Sequence, residues 1–222
     1  MIQDKNLRAE QSVLPPMTTS RPACLDWMQM LTGICLVVFM YLHALFLASI
    51  ILGPGAFNSL ADFFEKYYLA QTGGPAIALV FLVHFFLAAR KIPLSSREQK
   101  KFLSAAKMFR HRDTWLWMVQ VVSAVVVLLL GAIHMWVVLT DLPITAEKSA
   151  ARIQTGYWLV FYMLLLPMVE LHVGIGWYRL GIKWGFIKSA ARHRAKRAEY
   201  YLTTFFILLG LIILVRFLLL SS

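Results

Sequence analysis

Along the 222 residues, apolar side chains run in long unbroken blocks rather than in alternation or at helical spacing. Five blocks, near 26–52, 74–91, 115–140, 155–180 and 199–220, each reach the roughly 20 residues a helix needs to cross the ~30 Å apolar layer of a bilayer. They lack the alternation of a barrel strand. The pattern predicts an all-α integral membrane protein, a bundle of five transmembrane helices. Short connections make residues 25–222 one membrane domain, preceded by a polar arm, 1–24, that carries Pro15, Pro16 and Pro22. That arm has no charged-then-apolar leader with a cleavage site, so no removed segment is expected.

Composition sharpens this. Hydrophobic residues make up 59% of the chain, and the formal net charge is +11. In a soluble protein such charge would suggest nucleic acid, but no basic motif with interleaved aromatics appears, and no nucleic-acid partner is expected. The charge instead sits in particular loops. Segment 90–114 holds Arg90, Lys91, Arg97, Lys100, Lys101, Lys107, Arg110 and Arg112, and 183–198 holds six Lys or Arg and no acid. Segments 53–73 and 141–152 are acidic or balanced. The Lys/Arg excess puts the N-terminus and both basic loops in the cytoplasm and the C-terminus outside. Trp27, Trp115, Trp117 and Trp184 then form an inner aromatic belt, and Tyr67, Tyr68, Tyr157 and Trp158 an outer one. Residues 56–70 predict a re-entrant or interfacial helix on the outer side. Ser95–Met108, with Phe102, Leu103 and Ala106 at helical spacing, predicts either an in-plane helix or a solvated basic loop. Cys24 and Cys35 are too few for a disulfide framework, and no Cys-x-x-Cys-His attaches a haem covalently.

Against this apolar background, four histidines stand out, one in each block but the last: His43, His84, His134 and His172. Ionisable groups at such depth are costly and point to function. At ~1.5 Å per residue, His84 and His172 lie about 9 and 10 Å inside the inner boundary. His134 and His43 lie about 9 and 15 Å from the outer one. The depths sort them into an inner pair, His84 with His172, and an outer pair, His43 with His134. Two imidazoles on different helices at one depth can clamp a planar iron porphyrin in a bundle core. Gly131 and Gly176, one turn from His134 and His172, would let a flat ring approach the backbone. Four unconnected core histidines and a zinc or copper transport site stay open as readings at this point. His111 and His193, in basic loops, read as surface residues.

Several stretches resemble a known family. They are Leu25-Asp26-Trp27-x-Gln29-x-x-Thr32-Gly33 leading to His43, His84 through Arg90-Lys91, Arg110-His111-x-Asp113-Thr114, Glu170-Leu171-His172, and Tyr178-Arg179-Leu180-x-x-Lys183-Trp184-Gly185. Over about 24–215 the chain is similar to the dihaem cytochrome b subunits of quinol:fumarate reductases, within the succinate:quinone oxidoreductase superfamily. The resemblance implies five helices around two haems b, the inner iron on His84 and His172 and the outer on His43 and His134. It implies that menaquinol is oxidised near the outer haem with Glu65 as proton acceptor. It also implies that Glu170 moves protons across the membrane, and that Gln29, Trp117, Lys183 and Arg152 meet the haem propionates. The implied partners are a flavoprotein subunit with FAD and an iron–sulfur subunit, bound at the cytoplasmic face of a bacterial inner membrane. The chain has no flavin-binding glycine pattern or iron–sulfur cysteine set of its own, so it is not catalytic alone. A dimer of heterotrimers is compatible with this. An anchor of a hydrogenase or formate dehydrogenase, and a histidine-based metal or proton transporter, are the alternatives.

Overall fold

The computed structural model describes residues 20–92 and 112–220, with positions 95, 97, 100 and 104 between them. The arm before residue 20, the Phe102–Leu103–Ala106 segment and His111 lie outside the described residues. Among those described there are seven α-helices and no strand: α1 (Ser20–Ala48), α2 (Pro54–Lys66), α3 (Leu69–Ala89), α4 (Arg112–Leu139), α5 (Ala146–Gln154), α6 (Tyr157–Lys183) and α7 (Arg192–Leu218). A 3₁₀ turn, Ser49–Leu52, follows α1. Helices α1, α3, α4, α6 and α7 are long and apolar enough to cross a membrane. A helix meets its backbone hydrogen bonds within its own segment, as a spanning element must. Proline is tolerated inside two of them, Pro75 in α3 and Pro167 in α6.

The two ends of the bundle differ. At one, the basic end, Arg90, Lys91 and Lys183 gather around Asp26. At the other, the capped end, α2 and α5 cover the helix termini. Here lies a hydrophobic core, where Ile50, Phe57, Ala61, Ala146, Ala150, Ile153, Ile213, Leu214 and Phe217 are buried together. Phe57 of α2 is completely buried, against Phe46 at 4.8 Å and edge-on to Phe217 at 5.5 Å. Full burial of such a ring is worth about 3 kcal/mol.

Polar contacts lock the cap. Asn58 of α2 accepts from the Ala146 backbone N–H at 2.8 Å and donates to Glu147 at 3.2 Å. Thr145 caps the start of α5 by accepting from Lys148 N at 3.2 Å. Between them, two N–H groups that the first turn of a helix leaves unpaired are satisfied. Gln154 then reaches across to α7 and donates to the carbonyls of Phe217, Leu218 and Leu220, at 3.3, 3.2 and 2.8 Å.

Some element bounds depart from the hydrophobic blocks. Helix α3 starts at Leu69, five residues before the expected 74, because Gly73 and Gly74 cost little beside a helix seated on its neighbours. Pro75, early in the helix, forgoes one hydrogen bond only. Helix α7 starts at Arg192 instead of 199, since charged side chains end the apolar layer without ending the helix. Helix α5, nine residues within the 141–152 connection, is absent from the hydrophobic pattern because it is short and mostly polar. Most of the 56–70 segment is a short helix, α2, ending at Lys66 and lying on the capped end with Phe57 and Ala61 turned inward, while Leu69 and Ala70 already belong to α3.

Candidate functional site

Away from the cap, the long helices stand apart around a cavity of about 580 Å³ that runs along the bundle. Its walls include His43 of α1, His84 of α3, His134 of α4 and His172 of α6, so each histidine-bearing helix contributes one. The cavity runs from Asp26, Lys183 and Trp184 at the basic end to Tyr162 near the capped end. A smaller space of about 110 Å³ adjoins His43 and His134 and is lined by Asp141, Lys148, Arg152 and Tyr162. Gly131 and Gly176 line the main cavity too. The glycine that sits against a histidine, however, is Gly33, where a Cβ would come 3.0 Å from His84 Cε1.

The hydrogen bonds behind the histidines decide which ring nitrogen faces the cavity chemistry. Thr32 Oγ1 donates to the Met28 carbonyl at 2.8 Å, so its lone pair is what meets His84 Nδ1 at 3.1 Å. His172 Nδ1 faces the Gln120 backbone carbonyl at 3.1 Å, with Ser123 Oγ at 3.4 Å. A carbonyl only accepts, so His172 carries its proton on Nδ1 and leaves Nε2 with a bare lone pair, and Thr32, its own hydrogen turned to the Met28 carbonyl, is set to accept from His84 in the same way. His134 Nδ1 is paired with the Tyr162 hydroxyl at 3.3 Å. His43 lies parallel to Phe39, 14° between planes at 5.6 Å, and faces His134 at 6.0 Å. Thr32, Gln120 and Tyr162 carried no assigned role on sequence. The part Gln120 plays is that of a backbone carbonyl, which no residue type signals, and the threonine and tyrosine are ordinary residues of apolar helices.

The remaining candidate residues fall into three places. Gln29, Trp117 and Lys183 are on the cavity wall toward the basic end. There Gln29 Oε1 is buried without a partner. Asp26 joins Arg90, Lys91 at 2.7 Å and Lys183 at 2.5 Å, three cations against one carboxylate, leaving two positive charges over at the mouth. Arg152 lines the smaller cavity and pairs with Asp141 at 2.5 Å. The Lys148 ammonium, and then Arg152, hold the Asp141 carboxyl below the ordinary carboxylate range. Glu170 is on the cavity wall and only 3% exposed. Glu65 is not brought to either cavity. Its carboxylate, at the end of α2, accepts from Gln71 Nε2 at 2.6 Å, while the neighbouring Phe64 stacks edge-on to Phe46, itself 6.4 Å from His43. His193 is exposed, as are the free thiols Cys24 and Cys35.

Fold and site together define a multi-pass helical membrane protein with histidines from four spans facing one internal cavity. Residues 96–215 match the family described as succinate dehydrogenase/fumarate reductase transmembrane subunit. The chain is 36% identical over 198 residues to the fumarate reductase cytochrome b subunit of Helicobacter pylori, covering 85% of this chain and 78% of that one. It is 31% identical over 226 residues to the protein of the same name from Wolinella succinogenes, covering 96% and 88%. The chain belongs to the succinate dehydrogenase/fumarate reductase transmembrane subunit family.

Proposed function

We propose that this chain is the dihaem, quinone-reactive cytochrome b anchor of a fumarate reductase/succinate dehydrogenase complex. In this reading, electrons pass between menaquinol at the capped end and partner subunits at the basic end. The observation that carries it is the separation of His43 and His134. Their ring centroids are 6.0 Å apart. Two metal–nitrogen bonds of about 2 Å plus half an imidazole on either side require about that span. The bare Nε2 atoms of His84 and His172 are the neutral imidazole donors that iron takes. Haem b, held by each pair, would supply a one-electron station.

The rest is done by the chain itself. His84 and His172 hold the inner group and His43 and His134 the outer, with Thr32, the Gln120 carbonyl and Tyr162 orienting three of the rings. Lys183, Gln29 and Trp117 meet the inner propionates. The two surplus positive charges at that mouth match two carboxylates in number. Arg152, with five N–H donors, serves an outer propionate as well as Asp141. Glu65, beside the exposed rings of Phe63 and Tyr67, accepts one of the two protons that menaquinol, arriving from the lipid, releases as its two electrons leave. Glu170 carries a compensating proton inward, since each charge moved against 100 mV costs about 2.3 kcal/mol. Glu170→Gln should then stop quinol-driven but not dye-driven fumarate reduction in proteoliposomes, and an undiminished quinol rate would remove it from the mechanism.

The basic end faces the cytoplasm of a bacterial inner membrane, and the C-terminus lies outside. A flavoprotein with FAD and an iron–sulfur subunit dock on the basic end, and residues 1–24 form an arm beside a single membrane domain. Family membership favours this complex over a hydrogenase or formate dehydrogenase anchor. Among the described residues no three His, Cys, Asp or Glu side chains converge, whereas a transported zinc or copper ion prefers such a cluster. The test is a pyridine haemochrome assay on the purified complex with its subunits identified on a gel. Two b-type haems per copy of this chain, beside flavoprotein and iron–sulfur subunits, are expected; a haem-free complex overturns the reading.

A further inference from the structure

The hydrogen bond behind His134 differs in kind from those behind His84 and His172. The latter two lean on the backbone, through a carbonyl or through a threonine tied to one. His134 instead meets a phenol on another helix, Tyr162, with hydroxyl to Nδ1 at 3.3 Å and the rings edge-on, 5.5 Å apart at 83°. The polar contacts do not stop there. Arg152 of α5 lines the same small cavity as Tyr162 and brings its positive charge to it. Arg152 is in turn paired with Asp141 at 2.5 Å, whose side chain is 47% exposed. All four residues line the same small cavity. A row of polar side chains around that cavity thus leads from a cavity-facing histidine to a carboxylate at the capped surface.

We propose that Tyr162 is a positioning residue for the outer histidine pair and that, through Arg152, it couples His134 to the charge of Asp141 at the capped end. The proposal rests on the haem reading above. Its sign follows from the donors and acceptors. To leave Nε2 bare, His134 must give its Nδ1 proton to the Tyr162 oxygen, and the strength of that acceptor sets how electron-rich the ligand is. The positive charge of Arg152 draws on the same oxygen, and Asp141 moderates Arg152. Neutralising Asp141 frees Arg152 to draw harder on Tyr162, which weakens the acceptor behind His134. Removing the hydroxyl takes the acceptor away altogether. Either change makes the ligand less electron-rich, favours reduced iron, and raises the outer midpoint potential.

The test is a spectroelectrochemical titration of both haems in the purified complex, after a pyridine haemochrome count. A wild-type complex without haem would fell the haem reading itself; haem with unmoved potentials fells only this proposal. The outer midpoint is the one missing in His134→Ala. Tyr162→Phe should keep two haems per chain and raise the outer midpoint alone. Asp141→Asn should raise it by less, and by less still when added to Tyr162→Phe. Thr32→Val, which removes the oxygen behind His84, should move only the inner midpoint. An outer midpoint unchanged in Tyr162→Phe, equal shifts at both haems, or strict additivity of the two substitutions would overturn the coupling. Should Tyr162→Phe lose haem, the exposed Asp141→Asn decides alone: a raised outer midpoint supports the coupling, and an unmoved one refutes it.

Discussion

The imidazoles of His43, on α1, and His134, on α4, face each other with centroids 6.0 Å apart and planes at 59°. Ninety-one residues of sequence separate them, and no backbone element lies between. In the dihaem reading proposed above such a pair holds one haem, so removing either ring should empty that site while the other, nearer the basic end, survives. His134→Ala is expected to lower the haem count from two to one per chain. The remaining haem should keep its wild-type spectrum. Retention of the outer haem with loss of the inner would break the pairing.

Gly33 lies under His84. A Cβ there would approach Cε1 to 3.0 Å, tight enough that the ring must yield by a few tenths of an ångström. Turning an imidazole off its rotamer costs about 0.5–1.5 kcal/mol, up to roughly tenfold in affinity. Gly33→Ala is therefore expected to weaken retention of the inner haem by up to that factor and to alter its low-spin EPR signal. The outer signal should stay as it is. Unchanged inner retention and signal would show that the ring has room to spare.

Glu65 accepts a hydrogen bond from Gln71 at 2.6 Å, which a glutamine could replace in shape but not in basicity. A positioned general base contributes about 10²–10⁴ in rate. Glu65→Gln is expected to slow menaquinol oxidation at least about 100-fold. Both haems and dye-driven fumarate reduction should be intact. A normal quinol rate would free Glu65 of this role.

Asp26 ties α1 to the ends of α3 and α6 through Arg90, Lys91 and Lys183. These side chains are part-exposed, and solvent screening limits such pairs to about 1 kcal/mol. Asp26→Asn is expected to lower the apparent Tm of the complex by about 2–4 °C. Because three cations then lack their carboxylate, the loss should shrink in high salt, where their mutual repulsion is screened. A Tm unaffected at low salt would mean the cluster contributes nothing to holding the helices together.

The five spans were legible because crossing a membrane is a local property: length and hydropathy of one segment suffice. Their ends were less so. Charge at Arg192–Arg197 reports where water begins, and α7 continues through it as helix. Helix α5 escaped the pattern altogether because its stability comes from elsewhere, from Asn58 at its start and from the burial of Ala146, Ala150 and Ile153 against α7 and α2. Among the candidate residues, histidines and Glu170 announced themselves by being ionisable in an apolar block. Thr32 and Tyr162 did not, since a threonine and a tyrosine are unremarked there until a ring nitrogen is found beside them.

By itself, then, the sequence determined the class of protein, its five candidate crossings and the order of charges and histidines along them. All of these follow from the helical rise and from the cost of placing a side chain in lipid, which need no knowledge of neighbours. Only the tertiary structure decided which side chains meet. Thr32 and His84 are 52 residues apart, as are Gln120 and His172. Depth along a helix is set by counting residues, but the direction a side chain faces around it is set by packing against other helices. Contacts between helices depend on that second coordinate, and so does the proton on each imidazole.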